Sequence, residues 1–149
     1  MKQFKNILLV APLDKRLIAQ ATSVLKRGQW KLTLMSVAPM IDDAIVETDG
    51  GETVDLQKLL LEKLKSELDE EAGRLTDTDI RVRTVVASGQ PFIEIIRQVI
   101  KKKHDLVMML ADGVSSLREQ LFGTLSSHLM RKCPCPVWII KPSRRRSLR

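Results

Sequence analysis

The chain has 149 residues, of which 44% are hydrophobic and 29% are charged, so it can form one domain with its own core. Its two cysteines are too few for a disulfide scaffold, and apolar runs such as Val107–Ala111 are far shorter than the roughly 20 residues that cross a membrane. The first residues lack a signal-peptide pattern, so we expect a cytoplasmic protein.

The formal net charge of +7 is unevenly distributed along the chain. Residues 141–149 carry five basic residues and no acid, whereas residues 41–80 carry 13 acids and 4 bases. We therefore interpret residues 1–142 as one domain and residues 143–149 as a flexible basic tail. Association of this tail with nucleic-acid phosphates is the alternative, although an aromatic content of 3% argues against a base-stacking platform.

Five apolar segments have the length of strands, and the continuous runs among them are typical of strands buried in a parallel sheet. In chain order they are residues 5–11, 30–38, 80–87, 105–111 and 137–140.

Helix signals lie in each gap between these strands. Asp14 can cap the first helix, Thr53 is predicted to begin the longest one after a loop over residues 39–52, and Pro91 suits the first turn of the third. A short helix begins near Gly123. The alternation predicts a three-layer α/β domain with a mostly parallel sheet and helices on both faces.

Ligands of open α/β sheets bind beyond the carboxyl ends of the strands. The candidate ligand-binding segments are therefore Ala11, the segment from Met109 to Gly113, and Gly123–Ser126. The Gly-Thr pair at a helix N-terminus, with the Ser126 hydroxyl, is typical of an anion site. Gly113 permits close approach of a phosphate to the backbone. The alternative is that the two hydroxyls only cap the helix and that Gly113 only shapes a turn.

Catalytic and metal-binding patterns are not recognisable in this sequence. Neither His104 nor His128 lies in a Ser-His-Asp or Cys-His pattern, so we predict that the protein is not an enzyme. Cys133 and Cys135 flank a single proline, unlike the two-residue spacing of a zinc clamp, so no metal is predicted. We interpret both cysteines as packing residues, with Cys135 as the candidate for a reactive thiol.

One stretch of the sequence resembles the carboxyl-terminal signature of universal stress proteins. Gly113 is followed after nine residues by Gly123-Thr124-Leu125-Ser126, and the later Leu129–Lys141 run contains Arg-Lys-Cys-Pro-Cys-Pro-Val-Trp. Nucleotide-binding members carry Gly-x-x-Gly, nine residues, and Gly-Ser or Gly-Thr. The likeness covers nearly the whole chain and is strongest to the first repeat of the tandem universal stress protein E type.

This resemblance implies the adenine nucleotide alpha hydrolase-like fold, with a five-stranded parallel sheet in the order 3-2-1-4-5 and four helices. It also implies a stress-response regulatory or binding protein that is a homodimer through the last strand, Val137–Ile140. It further implies an ATP or AMP site whose candidate residues are Ala11, Val37, Gly113, Gly123, Thr124, Leu125 and Ser126.

The sequence departs from that binding motif in two places. Leu110 replaces its first glycine, and Pro12 stands where the first strand of nucleotide binders ends in Asp. Asp112 also adds a negative charge beside any phosphate. We therefore expect a degenerate pocket. The alternatives are an interaction or structural stress protein without nucleotide, association with nucleic acid through the tail, and weak ATP hydrolysis.

Overall fold

The apolar runs of the sequence form one central sheet in the computed structural model, which describes residues 4–25, 30–75, 80–111 and 125–141. Helical residues 125–132 are named α4 here. In chain order the other elements are β1 (Asn6–Val10), α1 (Lys15–Val24), β2 (Trp30–Ala38), β3 (Ile45–Glu47), β4 (Thr53–Asp55), α2 (Leu56–Gly73), β5 (Ile80–Ser88), α3 (Pro91–Lys102), β6 (Leu106–Leu110) and β7 (Val137–Ile140).

The central sheet has five strands in the order β5-β2-β1-β6-β7, and all four pairings are parallel. Numbered within this sheet alone, the order is 3-2-1-4-5, which confirms the predicted topology. In β1, Ile7 pairs with Leu32 of β2 on one side and with Leu106 of β6 on the other. This central position explains why its sequence is a continuous apolar run.

Two layers of helices cover the two faces of the sheet. Leu17 of α1 and Leu68 of α2 pack with Ile7 and Leu9 on one face, which we call the α1/α2 face. On the other, the α3/α4 face, Ile95 of α3 and Leu129 of α4 pack with Leu8 and Val10. Each such buried side chain contributes roughly 1.5–3 kcal/mol by leaving water. None of the described helices combines the length and apolar composition that crossing a membrane requires.

The segment between β2 and α2 differs from the predicted loop. It contains an antiparallel hairpin of β3 and β4, in which Val46 pairs with Val54, and α2 begins at Leu56 rather than at Thr53. The tight turn needs Gly51, whose φ is +84°. Asp55 ends β4 and caps α2, because its carboxylate accepts hydrogen bonds from the backbone N–H groups of the following helix.

Candidate functional site

Two of the predicted site residues lie at the carboxyl edge of the sheet, on neighbouring strands. Ala11 follows β1, and its backbone N–H donates a hydrogen bond to the Met35 carbonyl of β2 at 2.8 Å. Val37 lies one residue before the end of β2 and pairs with Ala87 of β5. The main chain of both residues therefore lies at the edge where ligands of this class of fold bind.

The side chains of these two residues lie on opposite faces of the sheet. Ala11 packs against the α1/α2 cluster, whereas Val37 packs against the α3/α4 cluster. Both side chains are half-buried. Ala11 and Val37 can therefore contribute their main chain to a site at this edge, but their side chains do not form one common surface.

The described part of α4 begins with Leu125 and Ser126. A helix that connects parallel strands runs antiparallel to them, so α4 begins at the same carboxyl edge as Ala11 and Val37. Leu125 is half-buried against the α3/α4 cluster, on the same face as Val37. The other predicted site residues lie outside the described residues, so their positions stay a prediction; they are Gly113, Gly123 and Thr124.

The departures from the nucleotide motif have structural consequences. Leu110, in place of a glycine, is 6% exposed at the end of β6 and belongs to the core of the α1/α2 face. Pro12 is exposed just beyond Ala11. Asp14, the nearest acid, caps α1 by accepting a hydrogen bond from the Leu17 backbone N–H at 2.7 Å. Its carboxylate therefore cannot replace the missing acid without loss of the helix cap.

A glutamine organises the backbone beside this edge. The Gln57 side-chain oxygen accepts from the Ile41 N–H at 2.7 Å, and its nitrogen donates to the Pro39 carbonyl at 3.1 Å and to the Ser88 hydroxyl at 3.2 Å. These contacts join α2, the segment after β2 and the end of β5. No local sequence signal identifies Gln57 as a structural residue, because a polar side chain in the first turn of a helix is an ordinary feature.

The two cysteines form a close pair at the end of α4, with 3.8 Å between their sulfur atoms. The Cys135 thiol hydrogen bond stabilises the Cys133 thiolate and lowers the pKa of Cys133 to about 6. The same contact and burial raise the pKa of Cys135. The hydrogen bond therefore favours a thiolate in this pair, and either sulfur can be the donor, so the reactive thiol expected at Cys135 stays a prediction.

Both histidines pack within the domain. The His128 ring contacts the Phe92 ring with 4.7 Å between their centroids, and the Nε2 atom of His104 lies 3.2 Å from that of Gln98. His104 is 5% exposed. Burial lowers the pKa of His104, and the nearby Asn6 backbone and Asp105 carboxylate oppose this shift.

Comparison with known proteins agrees with this architecture. The model of the universal stress protein family matches residues 3–141 of this chain. The chain belongs to the universal stress protein family. The predicted resemblance is confirmed.

Some similar universal stress proteins are matched by this chain over about a fifth of their own length, and others over most of it. Universal stress protein E of Escherichia coli K12 is 44% identical over 57 residues, which are 38% of this chain and 18% of that protein. The alignment to the Photorhabdus laumondii homologue, 40% identical over 63 residues (42% of this chain), spans 20% of that relative's length. A universal stress protein of Methanocaldococcus jannaschii is 25% identical over 137 residues, or 92% of this chain and 77% of that protein.

Solved structures share the fold at low sequence identity. The M. jannaschii protein superposes with a TM-score of 0.64 at 19% identity, covering 96% of this chain and 99% of its own. A universal stress protein in complex with cAMP has a TM-score of 0.59 at 18% identity, covering 95% and 100%. An Arabidopsis thaliana family member with AMP bound has a TM-score of 0.59 at 14% identity, covering 93% and 92%.

Proposed function

We propose that this protein is a stress-response regulatory protein that binds an adenine nucleotide, ATP or AMP, at the carboxyl edge of its sheet. The observation that carries the proposal is the main chain of Ala11 and Val37 on neighbouring strand ends, at the edge where α4 begins. Two solved relatives of the same fold hold cAMP and AMP, which supports this ligand class. No catalytic step is proposed.

The proposed roles follow the family motif. Gly113, Gly123 and Thr124 hold phosphates and ribose with Ser126, and Leu125 continues this turn into α4. The main chain at Val37 and Ala11 lies beside the base. A turn of this kind offers backbone N–H groups and a helix dipole, which are suited to anionic phosphates.

We propose that this pocket is weaker than that of members with the complete motif. Leu110 is committed to the core, Pro12 carries no acid, and Asp14 caps α1. Each missing hydrogen bond to a charged group reduces binding by about 1.5–3 kcal/mol, or roughly 10- to 150-fold in Kd.

We also propose that the protein is a cytoplasmic homodimer through β7. Within the described sheet, β7 pairs with β6 on one side and is an edge strand on the other. Its residues Val137–Ile140 are half-buried, and an edge strand can pair with its counterpart in a second copy about a two-fold axis. Sedimentation of the full chain at about 100 µM tests the dimer, and a monomer at this concentration contradicts the proposed dimer.

We further propose that residues 1–142 form the domain and that residues 143–149 form a flexible tail.

Calorimetric titration of the full chain with ATP and with AMP tests the nucleotide site. We expect saturable binding of one of them that Gly123→Val abolishes. Gly50→Val is the matched control, because nothing lies within 4 Å of the Cβ that it adds in the β3–β4 turn. Pro12→Asp restores an acid at an exposed position and should tighten binding. Absence of binding at millimolar nucleotide contradicts the proposal and favours an interaction protein without nucleotide.

Nucleic-acid association through the tail stays a separate prediction, because residues 143–149 lie outside the described residues. The triple substitution Arg144→Gln, Arg145→Gln and Arg146→Gln should release the chain from DNA if the tail binds phosphates. Unchanged retention on DNA excludes that role.

A further inference from the structure

A pocket of about 350 Å³ opens on the α3/α4 face, near the amino-terminal ends of β2 and β5. Lys31 marks this end of β2, and Val37 marks the other. Six residue steps of a strand separate them by about 20 Å, so the pocket is distinct from the proposed nucleotide site. We call it the basic pocket, and its lining includes Lys31, Thr33, Arg81, Arg83, Gln98, Lys102 and His104.

Four cationic side chains line the basic pocket without a carboxylate among its lining residues. The parallel register places Lys31 directly beside Arg81, and Thr33 beside Arg83. Because side chains alternate along a strand, both arginines lie on the face of Lys31. Like charges on adjacent strand positions are destabilising.

The described residues provide no ion pair for these cations. The salt bridges of the described part join Lys65 to Asp69, Arg74 to Glu71 and Arg97 to Glu94, all within single helices or their ends. The cations of the basic pocket are not among these pairs. A cluster of like charges that weakens the sheet locally is typical of a functional site, where a ligand of opposite charge offsets the repulsion.

A buried polar group points to the same pocket. His104 lines it at 5% exposure, and its Nδ1 atom makes no hydrogen bond of normal distance and angle within the described part of the chain, although the Asn6 backbone interacts with the ring. The side chain of Gln98, half-buried on α3, contacts the other ring nitrogen. Buried polar groups are normally paired, so the Nδ1 atom leaves one hydrogen-bonding position in the lining of this pocket for a ligand or a water.

We propose that the basic pocket binds a small phosphate-bearing anion. The guanidinium groups of Arg81 and Arg83 offer forked pairs of N–H donors that match phosphate oxygens, while Lys31 and Lys102 supply point charges. The hydroxyl of Thr33 adds a neutral donor. A partly open pocket of about 350 Å³ suits a small molecule that carries one or two phosphates.

Inorganic pyrophosphate is the probe for this proposal, titrated calorimetrically into the full chain at low salt. We expect saturable binding that weakens at least tenfold in the double variant Arg81→Gln, Arg83→Gln. The double variant Arg81→Lys, Arg83→Lys keeps both charges but lacks the paired N–H donors of guanidinium. Its loss of pyrophosphate affinity should lie between that of the wild type and that of the glutamine variant. The matched control Lys15→Gln, Arg16→Gln removes two charges from the exposed side of α1 and should bind like the wild type.

Two further arms separate this pocket from other phosphate-binding regions of the chain. Gly123→Val removes the proposed nucleotide site, and Arg144→Gln, Arg145→Gln, Arg146→Gln removes the charge of the tail. Both variants should retain pyrophosphate binding. The proposal is overturned if either of these variants loses pyrophosphate binding, or if the α1 control loses as much affinity as the Arg81→Gln, Arg83→Gln variant. It is also overturned if the wild type shows no binding at millimolar pyrophosphate. Circular dichroism of each variant verifies that it is folded.

Discussion

The side-chain oxygen of Gln57 accepts a hydrogen bond from the backbone N–H of Ile41 at 2.7 Å, across 16 positions of sequence. Gln57→Ala removes this bond together with those to Pro39 and Ser88. We expect a loss of about 1–2 kcal/mol in the free energy of unfolding and faster hydrogen exchange at the Ile41 amide.

The control for Gln57 is Gln20→Ala, which removes an exposed helical glutamine from α1. Its free energy of unfolding should change by less than about 0.5 kcal/mol. Equal effects of the two substitutions on Ile41 exchange would contradict the structural role of Gln57.

Asp105 joins the starts of β1 and β6. Its carboxylate accepts hydrogen bonds from the backbone N–H groups of Lys5 at 2.8 Å and Asn6 at 3.0 Å. Asp105→Asn retains one acceptor oxygen and loses the charge, so we expect a destabilisation of about 1.5–3 kcal/mol in urea unfolding. Asp42→Asn, an exposed change in the segment before β3, is the control and should be nearly neutral. A loss no larger than that control would show that the carboxylate bonds add little.

Cys133 should react with alkylating reagents at neutral pH. If the Cys135 thiol is the donor in this contact, it lowers the pKa of Cys133 to about 6, and the rate of iodoacetamide labelling then rises to half its maximum near pH 6. In Cys135→Ala the donor is absent, so the midpoint should move toward the ordinary value of 9.0. Cys133→Ala should react slowly at pH 7. Identical midpoints in the wild type and in Cys135→Ala would contradict the hydrogen bond.

The stability of the domain should decrease in mild acid because of His104. Its pKa is lower in the folded chain than the ordinary value of 6.5, chiefly because it is buried. The unfolded chain therefore binds more protons below pH 6.5, and the free energy of unfolding falls as the pH decreases through this range.

The charged groups around His104 shift its pKa in opposite directions. Asp105 raises its pKa and Lys102 lowers it, while Lys31, Arg81 and Arg83 line the same pocket. His104→Gln should reduce the decline in unfolding free energy between pH 7 and pH 5. His128→Gln retains His104 and should keep the decline, so a loss of the slope in this second variant would contradict the assignment.

The sequence predicted the central sheet because strands buried on both faces, such as β1 and β6, are continuous apolar runs. The hairpin was missed because five acidic residues among residues 39–52 favoured a loop, although Asp49-Gly50-Gly51 between β-branched pairs is a known hairpin signal. The position of Ala11 followed from the end of the first strand, whereas Val37 was expected from the family resemblance alone.

Features that depend on register could not be predicted in the same way. Lys31 and Arg81 are 50 positions apart, and only the pairing of β2 with β5 makes them neighbours. The Gln57 contacts likewise depend on how α2 is placed relative to β2 and β5. Local patterns determine elements, whereas such long-range pairs arise from tertiary packing.

Leu110 has a consequence for how this chain could evolve. Removing a buried leucine costs about 2–5 kcal/mol, a large part of the roughly 5–15 kcal/mol that stabilises a typical domain. A lineage that carries this leucine therefore cannot acquire the motif glycine by one neutral substitution, because the core of the α1/α2 face must first be refilled. Position 110 thus couples the packing of the core to the sequence of the binding loop, so a substitution that suits one weakens the other.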